Sequence, residues 1–247
     1  MTFQDHFSNH AEIYARYRPG YPRAMFSWLA SQAPGRQRAW DCATGNGQAA
    51  RLLAPDFDFV IATDASEQQI NNASKHPKVT FRVAPAEASG LGAESIDLVT
   101  VAQALHWFDV EAFYAHARSV LKPDGVLAIW TYQLFSVIPA VDDVVNEFFY
   151  GPIAPYWPQR RQLVDNSYEG ILPDWPAIDT PPSSMRCDWS IEQVLGYLSS
   201  WSGVRRHDEA TGGDAVADIA EALTAVWGDK TRAVRWPLML KVYRRPD

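Results

Sequence analysis

The chain has 247 residues, 47% of them hydrophobic and 21% charged, enough apolar material for a packed core, so wholesale disorder is excluded. Lys and Arg number 22 against 29 Asp and Glu, and the net charge of −7 argues against a general binder of nucleic acid or anionic membrane. Two cysteines, Cys42 and Cys187, with no CxxC or His/Cys cluster, exclude a disulfide framework and give no metal site.

The opening Met1-Thr2-Phe3-Gln4-Asp5-His6 lacks the basic stretch and apolar core of a signal peptide. The longest uncharged run, 125–141, is interrupted by Gln133, Ser136 and Pro139 and reads as strand, loop and helix start. A cytoplasmic protein without a membrane partner is expected. Aromatic residues make up 13% of the chain (10 Trp, 10 Tyr, 11 Phe), many of them in loop-like segments, which points to a small-molecule pocket.

In chain order, helices are predicted near 3–17 and 22–32, separated by Arg18-Pro19-Gly20-Tyr21-Pro22. A short strand over 38–42 runs into the turn Thr44-Gly45-Asn46-Gly47, and a helix begins over 48–53. Residues 57–63 form a second strand ending at Asp64. Ser66-Glu67-Gln68-Gln69 is a capping box that starts a helix at Ser66, which ends near His76-Pro77 because proline cannot continue it. Strands follow over 78–83 and 96–102. Asp109 caps a helix whose apolar face carries Val110, Phe113, Tyr114, Ala117, Val120 and Leu121 at helical spacing. Lys122-Pro123-Asp124-Gly125 stops it, and 126–132 is a strand.

This alternation of strand and helix implies βαβ units and a doubly wound, mostly parallel sheet. Residues 150–183, with Pro152, Pro155, Pro158, Pro173, Pro176, Pro181 and Pro182, read as an irregular cover. A second capping box, Ser190-Ile191-Glu192-Gln193, opens a helix to about 200; a helix over 215–227 and a strand over 234–243 end the pattern.

Ligands of such sheets sit beyond the carboxyl ends of the strands, where strand order reverses. Gly45 and Gly47 permit a tight turn and close backbone approach, and Asp64, 19 residues after Gly45, is placed to accept hydrogen bonds from a ribose diol. A nucleoside-containing cofactor follows, and two compete. Gly45-x-Gly47-x-x-Ala50 satisfies a loose dinucleotide fingerprint, in which a pyrophosphate rests on the helix N-terminus. Asp41, at the strand end, would repel that pyrophosphate and suits the ammonium of S-adenosylmethionine. The electrostatics favour the latter; a nicotinamide-dependent oxidoreductase and a non-catalytic cofactor-binding protein are the rivals.

These residues resemble class I S-adenosylmethionine-dependent methyltransferases of the type 11 small-molecule group. Asp41-x-x-x-Gly45-x-Gly47 resembles the family's first motif, Ala62-Thr63-Asp64-Ala65-Ser66 its ribose-binding strand end, and Ala86-Glu87 its adenine-reading segment. The stretch from Val101 to Asp109, which carries Gln103, His106 and Trp107, resembles the fourth motif. Leu121-Lys122-Pro123-Asp124-Gly125 is similar to the turn before the fifth strand. Tyr14-Ala15-x-Tyr17-Arg18-Pro19-x-Tyr21-Pro22 and Tyr197-Leu198-x-x-Trp201-Ser202 are similar to the N-terminal cover and a C-terminal helix of the subgroup containing trans-aconitate methyltransferase. Two departures stand out: Ala43 replaces a usual Gly, and Pro85 a frequent Asp, which leaves the adenine amino group to Glu87 or to backbone.

The resemblance implies a single Rossmann-like methyltransferase domain over 1–247 with a seven-stranded sheet. It divides into an N-terminal helical cover (1–35), a cofactor-binding core (36–132), a lid insertion (133–183) and C-terminal helices with the last strands (184–247). Asp41, Ala43, Gly45, Gly47, Asp64, Ala65, Ala86, Glu87 and Gln103 would hold S-adenosylmethionine. His106 is a candidate general base or an ordering residue of its loop, with an unperturbed pKa near 6.5. Tyr14 is the second catalytic candidate, closing over the cofactor. Tyr17, Arg18, Trp107, Tyr132 and Trp201 are candidates for the acceptor pocket, with Arg18 either an anion clamp or a structural tie. The expected acceptor is a flat, small aromatic or heteroaromatic molecule methylated on N or O; a small organic acid is the alternative.

Overall fold

A computed structural model of the chain describes residues 19–247. The helix expected over 3–17, with Tyr14, Tyr17 and Arg18, lies outside the described residues. Strands β1 (Arg38–Cys42), β2 (Phe59–Asp64), β3 (Val79–Val83), β4 (Ile96–Ala102) and β5 (Leu121–Tyr132) pair in parallel in the order β3-β2-β1-β4-β5. β8 (Arg232–Arg244) runs antiparallel to β5. Leu238 of β8 faces both Tyr132 and Ser183, so β7 (Ser183–Trp189) lines the edge of β8 opposite β5, and the short β6 (Ala177–Ile178) shares that edge. The sheet has eight strands, where seven were expected.

Between and after the strands lie α1 (Arg23–Gln32), α2 (Gln48–Leu53), α3 (Glu67–Asn71), α4 (Val110–Val120), α5 (Pro139–Tyr150), α6 (Arg161–Asp165), α7 (Ile191–Ser199), α8 (Ser202–Thr211) and α9 (Ala215–Trp227). The pleat sends alternate residues to opposite faces. Ala39, Leu98, Val126, Ala128 and Trp130 are buried under α1, α2, α5, α7 and α9. Trp40, Val99, Leu127 and Ile129 are buried with α4 and the segment 163–175 on the other side. Trp130 meets Tyr21 and Phe26 edge-on, with ring centroids 5.5 and 5.8 Å apart. Such pairs contribute about 0.5–1.5 kcal/mol beyond the area they bury.

Local chemistry explains the boundaries. The Ser66 side chain accepts from Gln69 N–H, and the Ser190/Gln193 capping box is present, so both predicted helix starts hold. α3 nevertheless ends at Asn71, short of His76, because it buries no side chain to extend it. β5 begins at Leu121 rather than Val126: Leu121 pairs with Ile96, then Lys122–Gly125 bulges out before Val126 pairs with Leu98. The cover over 150–183 is more regular than expected, holding α6, β6 and a 3-10 turn at Ala154–Tyr156. Preceding it, α5 buries Val141, Val145, Phe148 and Phe149 and packs on α9 as core. Among the described residues no helix is long and apolar enough to cross a membrane, and no cluster of His, Cys, Asp or Glu has metal-ligating geometry.

Candidate active site

Strand order reverses between β1 and β4, so the chain leaves their carboxyl ends in opposite directions and opens a crevice there. Ala43, Gly45 and Gly47 follow β1 with φ of 53°, 57° and 85°, three left-handed residues within five. A Cβ on Gly47 would lie 2.7 Å from the Phe81 ring, so only glycine fits. Above Gly45 the nearest atom to such a Cβ would be Gln69 Oε1 at 3.8 Å, which leaves its backbone open to a ligand.

Asp41 differs from expectation. Its carboxylate is fully buried. It accepts hydrogen bonds from the Thr44 hydroxyl (2.5 Å), the Thr100 hydroxyl (2.7 Å) and the Ala50 backbone, bracing the turn from beneath. Burial pushes its pKa up to about 6 against the opposing pull of these donors. Asp64 is half-buried at the end of β2. One carboxylate oxygen accepts from Gly45 N–H (2.8 Å) and the other from Ser66 N–H (2.9 Å), with Ala65 exposed beside it.

The loop after β3 carries Pro85, exposed, and Ala86, buried. Glu87 does not stand free for an adenine amino group: its Oε1 accepts the backbone N–H of Asp109 at 3.0 Å and ties this loop to the start of α4. His116 holds the loop from the other side, with Nε2 at 3.0 Å from Ser89 N and 2.7 Å from Ser89 Oγ.

At the end of β4, Gln103 has φ 55° and bridges to β5 with both ends of its amide. Its Nε2 donates to Tyr132 O (3.1 Å), and its Oε1 accepts from the Thr131 hydroxyl (2.5 Å). The following 3-10 turn, Leu105–Trp107, presents His106 with its ring centroid 4.7 Å from that of Trp107 and 5.9 Å from that of Tyr168, the latter nearly parallel. His106 Nδ1 lies 3.1 Å from Tyr168 Oη. Arg160 donates to the His106 carbonyl at 2.8 Å. Burial, with smaller contributions from Arg161 and Arg160, lowers the His106 pKa to about 4, so the imidazole is neutral at pH 7.

Trp107 is exposed and Tyr132 buried at the same end of the sheet. Trp201 is buried among Phe148, Phe149, Trp157 and Tyr197. Three residues were not foreseen beside His106, namely Tyr168, Arg160 and Arg161. Their contacts bridge more than fifty positions of chain, and the only local mark is the consecutive positive φ of Ser167 and Tyr168 (55° and 63°).

Comparison with known proteins decides the family. A methyltransferase-domain family matches residues 40–129, the segment carrying the glycine turn, Asp64 and His106. A methyltransferase of Dictyostelium discoideum is 36% identical over 225 residues, 90% of this chain and 86% of its own. The chain belongs to the class I S-adenosylmethionine-dependent methyltransferases. A solved structure named as a type II methyltransferase of Anaeromyxobacter dehalogenans is 43% identical, with a TM-score of 0.88 over 93% of this chain and 98% of that one. A Bacillus halodurans methyltransferase structure, 19% identical with a TM-score of 0.52 over 91% of this chain, shares the fold. S-adenosylmethionine is therefore the cofactor of this methyltransferase, and the nicotinamide reading is set aside. The crevice fits it: open backbone over Gly45 and a carboxylate at the end of β2.

Proposed function

We propose that this methyltransferase transfers its methyl group to a nitrogen or oxygen of a small, flat aromatic or heteroaromatic molecule, with His106 receiving the proton that the acceptor loses. The observation that carries the reading is a neutral imidazole at the carboxyl end of β4, flanked by the rings of Trp107 and Tyr168. When bound, the cofactor would supply an electrophilic methyl group on a sulfonium to the acceptor's lone pair. The chain's part is alignment and exclusion of water.

Asp64 would hold the ribose hydroxyls through its carboxylate. Gly45, Gly47 and the strained Ala43 shape the backbone that meets the methionine part, and Asp41 acts on the cofactor only through that turn. Ala65 and Ala86 line the nucleoside, Glu87 sets the loop that carries Ala86, and the Gln103 backbone borders the methionine end. Trp107 and Tyr132 wall the acceptor side, with Trp201 shaping it from behind. Tyr14 is proposed as a catalytic residue and Tyr17 as an acceptor-binding one, and the whole chain acts as one domain. His106 Nε2 takes the acceptor's proton as the new bond forms, and the resulting imidazolium releases it to water.

A second reading has its own support. Arg160 and Arg161 lie close enough to His106 to lower its pKa, and the same field attracts an organic acid, whose carboxylate would be methylated with Arg18 as an additional clamp. The net charge of −7 argues against nucleic acid as acceptor in either case.

The test is S-adenosylhomocysteine release over panels of phenols, nitrogen heterocycles and organic acids. Turnover of a phenol or heterocycle, reduced a hundredfold or more by His106→Gln, is expected from the usual 10²–10⁴-fold contribution of a positioned base. Turnover of acids alone, lost in Arg160→Gln and retained in His106→Gln, would replace it with the second reading.

A further inference from the structure

We propose that His116 is a positioning residue: neutral, it latches the loop after β3 in the shape that takes the cofactor's nucleoside. Protonated, it releases that loop, and affinity for S-adenosylhomocysteine falls. This rests on the reading of Ala86 as a residue that lines the nucleoside.

The latch is built on one lone pair. Ser89 N–H donates to His116 Nε2 at 3.0 Å, and a backbone amide can only donate. Nε2 of the neutral ring is therefore bare, and Nδ1 carries the proton. Ser89 Oγ lies 2.7 Å from the same nitrogen and accepts from Leu91 N–H at 3.4 Å, so residues 89–91 close around the imidazole. Ser89 is 5% exposed, and its amide is costly to leave without an acceptor. Two residues earlier, Glu87 Oε1 accepts Asp109 N–H at 3.0 Å, and Asp109 caps α4, the helix that carries His116. α4 thus grips the loop at Glu87 and at Ser89, with the buried Ala86 beside the first grip.

Protonation acts differently on the two contacts of the ring. An imidazolium carries hydrogen on both nitrogens. The Ser89 hydroxyl can rotate and accept from Nε2–H. The amide cannot, and two N–H groups then face each other across 3.0 Å. The surroundings of the ring set the sign. Burial holds the His116 pKa below the usual 6.5, against the opposing pull of Glu87, the charged group that faces it from the loop. β1 presents the uncharged Trp40 ring, edge-on at 5.5 Å between centroids. On α4 the residues one turn away, Ala112, Phe113, Ser119 and Val120, carry no charge. The latched state has the lowered pKa, so it is favoured at neutral pH and lost as pH falls through that value.

The experiment is calorimetric titration of S-adenosylhomocysteine into the full chain at about pH 7.5 and about pH 5, either side of an ordinary histidine titration. Two variants are measured beside the wild type: His116→Gln, whose amide oxygen can stand in for Nε2 without titrating, and His116→Leu, which has no acceptor. His106 and Asp41 titrate in all three proteins, so the difference between wild type and His116→Gln isolates His116. Hydrogen exchange at the Ser89 amide of the unliganded proteins, corrected for intrinsic rates, reads the latch itself. On acidification the wild type is expected to lose about fivefold more affinity than His116→Gln, with faster Ser89 exchange, as the loss of one buried hydrogen bond requires. At the higher pH, His116→Leu is expected to bind about fivefold more weakly than wild type, and His116→Gln to recover most of that loss. The same pH dependence of affinity and of exchange in wild type and His116→Gln would overturn the latch. Exchange that follows His116 while affinity does not would keep the latch and overturn its link to the cofactor. Absence of binding in all three proteins would contradict the cofactor site, and Ser89 exchange would then decide the latch by itself.

Discussion

Ala43 carries a Cβ at φ 53°, where L residues incur a steric cost of roughly 1–2 kcal/mol. Ala43→Gly removes that cost and, after the entropy the new glycine adds to the unfolded chain, is expected to be neutral to stabilising by about 1 kcal/mol. A thermal melt reads this as a rise of up to about 4 °C; a fall of that size would mean that the methyl group makes contacts worth more than the strain. His106 shows how residue chemistry becomes a pH profile. Its folded pKa of about 4 lies below the unfolded 6.5, so the unfolded state holds more protons between those values and stability rises with pH through that window. Asp41, raised from 3.8 to about 6, has the opposite slope over nearly the same range. The two oppose each other in the wild type. His106→Gln removes one, so the variant is expected to gain relative to the wild type, by on the order of 3 kcal/mol, as pH falls from 7 to 4. Denaturant unfolding at both pH values checks this, and a pH-independent difference would contradict it.

Elements with a local signal were legible, and those held by distant partners were not. α4 shows an apolar stripe and an Asp109 cap, and α9 a cap at Asp214, so both appear at their predicted places. α8 was missed because its sequence, SGVRRHDEAT, buries only Gly203 and Val204 and so has no apolar face to read. β7 places Met185, Cys187 and Trp189 on alternate positions, but the prolines just before it masked the pattern, and its pairing with β8 is a tertiary fact. Among site residues, Gly45, Gly47 and Asp64 announce themselves by spacing. The inward turn of the Asp41 carboxylate depends on Thr100, 59 positions away, and no local pattern encodes it. One element-level joint is testable directly. Asp97, 1% exposed at the start of β4, accepts from Lys122 Nζ and Arg38 N–H, both at 2.8 Å, and so ties β4 to β5 and β1. Lys122→Met leaves that carboxylate buried without its cation and is expected to destabilise the protein by about 3 kcal/mol. Retention of full stability would show that water reaches Asp97.

At the scale of the whole molecule, the sheet divides the work. Its β1–β4 carboxyl ends open the crevice proposed to take the cofactor, while α5 and α7–α9 bury Phe135, Trp189, Tyr197, Trp201 and Trp236 in one aromatic mass. That mass is what the high aromatic content builds, and it places rigid walls next to the segment that carries Arg160, Arg161 and Tyr168. Cofactor binding should therefore stabilise the fold as a unit. S-adenosylhomocysteine at 100 times its dissociation constant adds about 2.7 kcal/mol, a rise of roughly 5–10 °C in melting temperature for a chain of this length.

The most direct measurement is calorimetric titration of S-adenosylhomocysteine into the wild type and Asp64→Ala, with NAD as control and circular dichroism to confirm that the variant folds. Binding to the wild type, weakened tenfold or more by Asp64→Ala, with no heat from NAD, is the predicted result. Equal affinity in a folded Asp64→Ala, or binding of NAD in place of S-adenosylhomocysteine, would contradict the assignment of the crevice between β1 and β4.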